Sequence, residues 1–347
     1  MAVPVSASRG SHVPRSFRDD SFEAALDRAR HGDIDRDSAR VLYRGARRAE
    51  HAQALFSAAS QERDARLGRE LQLSAHVHMV TRCELSPSCR YCSLSSELPS
   101  VQDERDRLPA RDLVRAARYA AERGVRSIVL VGGTDPDGSD DAVRQAVRRV
   151  REVTDIELGI DVGPSLNAGT VEWLRRQNAG TIYCSIETMN PQAFRRGKPG
   201  DDLAARIAFN EMAERHGATL GNVVMNGLGS SGDLLDSILY LRRFRRLAYL
   251  YISTFHPVRG TPWARRRPAS VRTSLVALAI ARLALPGCHL GLAEVEVEDP
   301  GSAARTASQL QAGGGNSFAG ILIYRHRRVD HLDQIRREAS TLGFTTP

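Results

Sequence analysis

The chain has 347 residues, which suits one α/β barrel of about 250 residues with extensions, or two ordinary domains. Hydrophobic residues make up 41% and charged residues 26%, enough to bury a sizeable core and to exclude wholesale disorder and low-complexity chains. The net charge of +8 is carried by arginine, Lys198 being the only lysine among 49 basic residues, and pairs such as Arg148-Arg149 alternate with apolar positions on predicted helices. Solvated helix faces and a GC-rich composition account for it, so nucleic acid is not the expected partner.

Residues 1–20 are rich in Ser, Pro and Arg and read as a disordered tail without the apolar run of a leader. No stretch approaches the roughly 20 apolar residues of a membrane helix, so no membrane partner is expected and the expected location is cytoplasmic. Helical periodicity at 21–31, 36–47 and 49–67 predicts an N-terminal helical extension over 21–72. From there to residue 347 short apolar runs alternate with amphipathic segments. Strands are predicted at 75–81, 126–131, 156–161, 181–187, 219–226, 248–255, 289–296 and 317–323. Helices are predicted at 110–123, 140–152, 168–178, 202–216, 232–245, 270–285, 301–312 and 331–342. Eight strands alternating with eight helices predict an α/β fold, a (β/α)8 TIM-type barrel, with catalytic groups on the loops after the strand C-termini.

Directly after the first strand comes Cys83-Glu-Leu-Ser-Pro-Ser-Cys89-Arg-Tyr91-Cys92, a C-x5-C-x2-C pattern. Three cysteines within ten positions point to metal or redox chemistry rather than disulfides. Three thiolates on one loop can hold three irons of a four-iron four-sulfur cluster and leave the fourth iron open to a non-protein ligand. The bland alternative is a structural zinc ion with His76 or His78 as its fourth ligand, which would make the chain a non-enzymatic binding module.

This loop resembles that of the radical S-adenosylmethionine (SAM) superfamily, specifically the group of biotin synthase, the iron–iron hydrogenase maturase E and methylornithine synthase. The resemblance extends over most of the chain from residue 21, with the C-terminal biotin and thiamin synthesis associated region at about 270–345, where QAGGGNSFAG and LGFTTP are its landmarks. It implies that Cys83, Cys89 and Cys92 hold the cluster and that Tyr91 packs near SAM. Gly132 and Gly133 resemble the segment that holds the SAM amino group, with Thr134 in place of the acidic residue common there. Glu187, in Ile186-Glu187-Thr188-Met189-Asn190-Pro191, matches an acidic SAM contact, and Arg206 matches the arginine that grips the SAM carboxylate. Gly227 and Gly229, with the segment from Phe255 to Pro262, resemble the adenine side.

There are departures. The usual loop is C-x3-C-x2-C; the two added residues are similar to the loop of iron-guanylylpyridinol cofactor maturation enzymes. The ligands of the second cluster of biotin synthase align with Leu130, Gly159, Gly221 and Glu294, and its dethiobiotin asparagines with Tyr183, Ser185 and Ser253, so biotin formation is not expected. Strand parity places Tyr183, Ser185 and Glu187 on the inner face and Cys184 on the outer one, while Cys288 should lie at the opposite mouth. Glu294 and Glu296 share a face of strand seven and can bind a cationic group or move a proton, against a bland reading as a solvated strand end. His78, Asn222, Asn226, Tyr251 and Ser253 are further inward candidates, each equally explained as an internally bonded barrel polar group. The resemblance implies reductive SAM cleavage to a 5′-deoxyadenosyl radical, electrons from flavodoxin or ferredoxin, and hydrogen abstraction from a small-molecule substrate. Rearrangement, fragmentation or coupling of the carbon skeleton is expected, with sulfur insertion as the alternative.

Overall fold

The computed structural model describes residues 21–94, 107–293 and 302–347. The predicted tail 1–20, and Glu294 and Glu296 at the predicted end of strand seven, lie outside the described residues. Three helices come first: α1 (Phe22–Arg30), α2 (Arg36–Gly45) and α3 (Ala49–Leu67). Ser21 and Asp35 begin the first two by accepting the N–H groups of Ala24 and Ser38 at 3.2 and 2.7 Å, donors that a helix start otherwise leaves open.

The alternating units follow as β1 (Gln72–His78), α4 (Ala110–Glu122), β2 (Ser127–Val131), α5 (Asp140–Arg151), β3 (Glu157–Asp161), α6 (Ala168–Arg176), β4 (Thr181–Tyr183), α7 (Pro191–Gly197), α8 (Leu203–Arg215), β5 (Thr219–Asn226), α9 (Ser231–Leu241), β6 (Leu247–Thr254), α10 (Val271–Ala284), β7 (His289–Ala293), α11 (Ser302–Gln311), β8 (Ser317–Ile323), β9 (Arg328–Asp330) and α12 (Leu332–Thr341). The strands lie in the order β7-β6-β5-β4-β3-β2-β1-β8-β9, all parallel except β9, which pairs antiparallel with β8. Because β8 returns to lie beside β1, the sheet curls into the expected barrel-type architecture. Leu73, Ile128, Leu158 and Leu250 point outward into one core shared with the surrounding helices. A second core joins Leu26, Leu42 and Leu55 of the first three helices to Leu235 of α9 and Ile280 of α10, fixing the preface against the barrel wall. Among the described residues no helix is long and apolar enough to cross a membrane.

The seam between β7 and β8 is joined differently from the rest. Asn316, just before β8, donates its N–H to the Leu290 carbonyl at 2.9 Å and accepts the Leu290 N–H on its side-chain oxygen at 3.0 Å. The Gln309 side chain accepts from the Leu292 N–H at 2.8 Å. Arg282, wholly buried, donates to the carbonyls of Gly314 and Cys288 and to the Asn316 side chain at 2.7–3.0 Å.

Three local differences from the sequence expectation matter for the site. Strand β1 ends at His78 rather than residue 81, because Met79 turns to φ +66°. Strand β4 stops at Tyr183, and the segment predicted as strand to residue 187 continues as a single bridge between Glu187 and Val224. The seven-residue α7 was not expected; Pro191 fits its first turn and Asn190 accepts the N–H groups of Gln192 and Ala193, both at 3.0 Å.

Candidate active site

The cysteine loop leaves β1 and is held by three other segments. Gly133 N–H donates to the Thr81 carbonyl at 3.1 Å and Glu84 N–H to the Thr134 carbonyl at 2.9 Å, so the loop start lies along the end of β2. A Cβ on Gly132 would collide with Thr81, and one on Gly133 with the Cys83 backbone, so this close approach requires both glycines. Farther along, Arg90 N–H donates to the Gly197 carbonyl at 2.8 Å, and Trp263 N–H to the Arg90 carbonyl at 3.0 Å. The Tyr91 and Trp263 rings lie 5.7 Å apart, packed with Met225, Leu228 and Phe255. All five cysteines are free thiols. Burial raises the Cys89 thiol and pushes Cys92 up to about 12, and in each case the neighbouring cysteines add to the rise.

Beside this loop lies a buried charge network. Arg206 on α8 is 4% exposed and divides its guanidinium among three partners. It donates to both Asp201 oxygens, at 3.0 and 2.9 Å from Nε, to the Ser185 carbonyl at 2.9 Å and to the Thr134 hydroxyl at 3.1 Å. Lys198 Nζ is 3.1 Å from Asp201 and 3.6 Å from Glu187. Burial would raise the Asp201 carboxyl, but Lys198 and Arg206 hold it below its ordinary value. Glu187 sits at φ +60°, a conformation costing a non-glycine residue on the order of 1 kcal/mol and favoured at functional sites. Its Oε2 and the Tyr91 hydroxyl are buried without a partner.

From Tyr91 and Cys92 a cavity of about 290 Å³ descends into the barrel, lined by His76, His78, Asp161, Tyr183, Tyr251 and Tyr324 among others. Tyr251 and Ser317 share a 2.7 Å hydrogen bond on its wall. His78 stacks on Tyr324 at 4.3 Å. Both His78 ring nitrogens and Nε2 of His76 are buried without a partner. Burial pushes these imidazoles down to about 3 and about 4, so both are neutral at physiological pH. Burial pushes Asp161 up to about 6 despite nearby Arg206. Among the described lining residues Asp161 is the one carboxyl, and there is no lysine or arginine.

The structure sorts the expected residues. Tyr183 lines the cavity, whereas Ser185 does not and contributes its carbonyl to Arg206. Thr134 stands against the guanidinium rather than open to a ligand. Gly227 takes φ +105° against Phe255, and Gly229 abuts Asp233, which with Ser230 forms the capping box that starts α9. Asn222 is consumed by the Ile186 N–H and the Cys184 carbonyl, and Asn226 by the Ser270 carbonyl and Ser274 hydroxyl. Cys184 is in the outer core, its thiol donating to the Arg206 carbonyl. Asp161, Lys198 and Asp201 were not expected. Strand parity identifies the first, and the isolation of one lysine in an arginine-rich chain marks the second.

The Radical SAM superfamily profile matches residues 77–244, the span carrying the cysteine loop, both glycines, Glu187 and Arg206. Residues 77–244 carry a radical SAM domain. It is 25% identical over 75% of its length to an uncharacterized protein of Methanocaldococcus jannaschii, covering 69% of that protein. It is 26% identical over 69% of its length to the FeFe-hydrogenase maturase subunit HydE of Thermotoga maritima, covering 67% of it. In fold it is similar to methylornithine synthase, with a TM-score of 0.80 at 20% identity, over 93% of this chain and 97% of the other. The chain is therefore an enzyme, and the radical SAM domain implies an iron–sulfur cluster and SAM. The residues present fit both. Three free thiols lie on one loop beside Lys198 and Arg206, and Oε2 of Glu187 and the Tyr91 hydroxyl are buried polar atoms open to a polar ligand. Among the described residues no group of three or more His, Cys, Asp or Glu side chains can hold a single metal ion.

Proposed function

We propose that this chain abstracts hydrogen from a small molecule held in the barrel cavity and directs the resulting radical into carbon-skeleton chemistry, in the biosynthesis of a cofactor or natural product. The observation that carries this reading is the continuity of the cavity from Tyr91 and Cys92 down to Tyr251, which leaves room for a substrate beside the cysteine loop. In this reading Cys83, Cys89 and Cys92 hold a four-iron four-sulfur cluster. Arg206, fixed by Asp201 and Thr134, pairs with the SAM carboxylate, and the free Oε2 of Glu187 accepts a hydrogen bond from the same molecule. Tyr91, Gly132, Gly133, Gly227 and Gly229 complete its surroundings. When bound, cluster and SAM supply a 5′-deoxyadenosyl radical upon receiving one electron from a flavodoxin or ferredoxin.

The neutral His76 and His78 offer hydrogen bonds to an uncharged polar group, and the described lining carries no cation to recognise a carboxylate or phosphate. Asp161 stands at the upper end of β3 as the group able to hold or release a proton. Tyr183 favours carbon-skeleton chemistry over sulfur insertion. Its ring lies against Gly159 and Gly221, the positions aligned with second-cluster ligands of biotin synthase, and fills the space between them.

The test is anaerobic reconstitution followed by turnover with reductant. We expect about four irons per chain, 5′-deoxyadenosine formed from SAM, and loss of both in Cys83→Ala, Cys89→Ala and Cys92→Ala but not in Cys288→Ala. Deuterium from the true substrate should appear in 5′-deoxyadenosine. A product that gains sulfur would replace the carbon-skeleton branch, and no 5′-deoxyadenosine under these conditions would remove the reading.

A further inference from the structure

Lys198 occupies an unusual place. It is the only lysine of the chain, yet it is 4% exposed and lies at the junction of α7 with the cysteine loop. The backbone touches that loop on both sides of it: Gly197 accepts the Arg90 N–H, and a Cβ on Gly200 would collide with the Pro87 carbonyl. Its ammonium rests 3.1 Å from Asp201, 3.6 Å from Glu187 and 5.6 Å from the Phe194 ring centroid. Asp201 does not need it as a counter-ion, because Arg206 already pairs with the same oxygen at 2.6 Å. Burying a second cation costs several kcal/mol, so a purely structural pairing gives a poor return. A compact ammonium delivers a point charge where a planar guanidinium demands room for five donors. Burial and the neighbouring Arg206 oppose that charge, but Cys89, Glu187 and Asp201 hold Lys198 above its ordinary value, so it stays protonated.

Resting on the assignment of the three cysteines above, we propose that the Lys198 ammonium is a positioning charge that raises the reduction potential of the iron–sulfur cluster. Reduction brings in one electron from an external one-electron reductant and adds one negative charge at the cluster, while Lys198 neither gains nor loses a proton. A fixed positive charge in a water-poor site favours the more negative state, and burial keeps it from being screened by salt. Arg206 belongs to the same network and would also face the SAM carboxylate, so the test changes Lys198 while Arg206 stays in place.

The experiment is a redox titration of the reduced-cluster electron paramagnetic resonance signal, without SAM, on reconstituted wild type, Lys198→Met and Asp201→Asn of matched iron content. Lys198→Met should lower the midpoint, with the reduction equilibrium shifting by about tenfold, which is 59 mV for one electron. Asp201→Asn, which removes a negative charge from the same network, should shift it the other way. An unchanged midpoint in Lys198→Met overturns the proposal whatever happens to SAM cleavage. If that variant retains no iron, Asp201→Asn decides: a rise supports the proposal, and a fall or no change overturns it. A wild type that assembles no cluster would instead remove the reading on which the proposal rests.

Discussion

The ring of Tyr183 lies against the backbone of Gly221, in the space where a side chain at that position would stand. Gly221→Ala should therefore lower the unfolding free energy by about 1–3 kcal/mol through overpacking. In a Tyr183→Ala background the same change should cost almost nothing, a coupling that urea unfolding of the four proteins measures. Additive losses would show that ring and glycine do not compete for one space.

Arg206→Ala leaves the Ser185 carbonyl and the Thr134 hydroxyl without that donor and Asp201 with Lys198 alone. SAM affinity should fall by about 2–5 kcal/mol, roughly 30-fold or more, by calorimetry on the reconstituted protein. Thr134→Val removes only one acceptor of the guanidinium and should cost less, about 1 kcal/mol. Unchanged SAM binding in Arg206→Ala would assign the carboxylate grip elsewhere.

Acid should destabilise the cluster-free protein through its cavity. The folded pKa values of His76 and His78, about 4 and about 3, lie below the ordinary 6.5, so their stabilising contribution is complete above about pH 6.5 and is lost as pH falls towards 4 and 3. Asp161 acts in the opposite sense: its folded value of about 6 exceeds 3.8, so its contribution is present below about pH 4 and is lost as pH rises through 6. His78→Phe keeps the stack on Tyr324 and removes one histidine. Relative to wild type it should gain about 2 kcal/mol on going from pH 7 to pH 5, read from denaturant midpoints. A pH profile parallel to wild type would mean that His78 is solvated in solution.

Residues 255–272 carry exposed Arg259, Arg265, Arg266 and Arg267 without one acidic residue, and Trp263 within them bonds to the cysteine loop. Arg266 stacks on Trp263 at 3.9 Å, leaving its two neighbours for a partner. Arg265→Glu with Arg267→Glu should slow flavodoxin-driven 5′-deoxyadenosine formation about tenfold at low salt, less at high salt, because steering of an acidic donor is lost. Dithionite-driven formation should not change. Equal slowing with both reductants would place the defect in folding.

The barrel was legible because short runs rich in apolar residues, bounded by Gly or polar turns, recur between amphipathic segments; β5 and β8 were predicted to the residue. What periodicity missed lies after β4. Ser185 to Thr188 continue the apolar alternation of a strand, but Glu187 at φ +60° leaves the ladder, and the short α7 offers too few residues to display a helical period. The cysteines, Glu187 and Arg206 were legible as residue types in a motif. Lys198 and Asp201 were not, since their role depends on a burial that only the folded chain creates. Asp161 was read as the end of a strand, although the parity that turned Tyr183 inward applies equally to it.

The clasp between β7 and β8 bears on how the bore of this barrel can change. At the other seams, widening the interior means sliding a strand in its ladder, which flips or displaces every side chain along it. At this one the amides of Leu290 and Leu292 are answered by the side chains of Asn316 and Gln309. A substitution at either position therefore acts on the closure of the ring itself, and at Asn316 it also strips a partner from the buried Arg282.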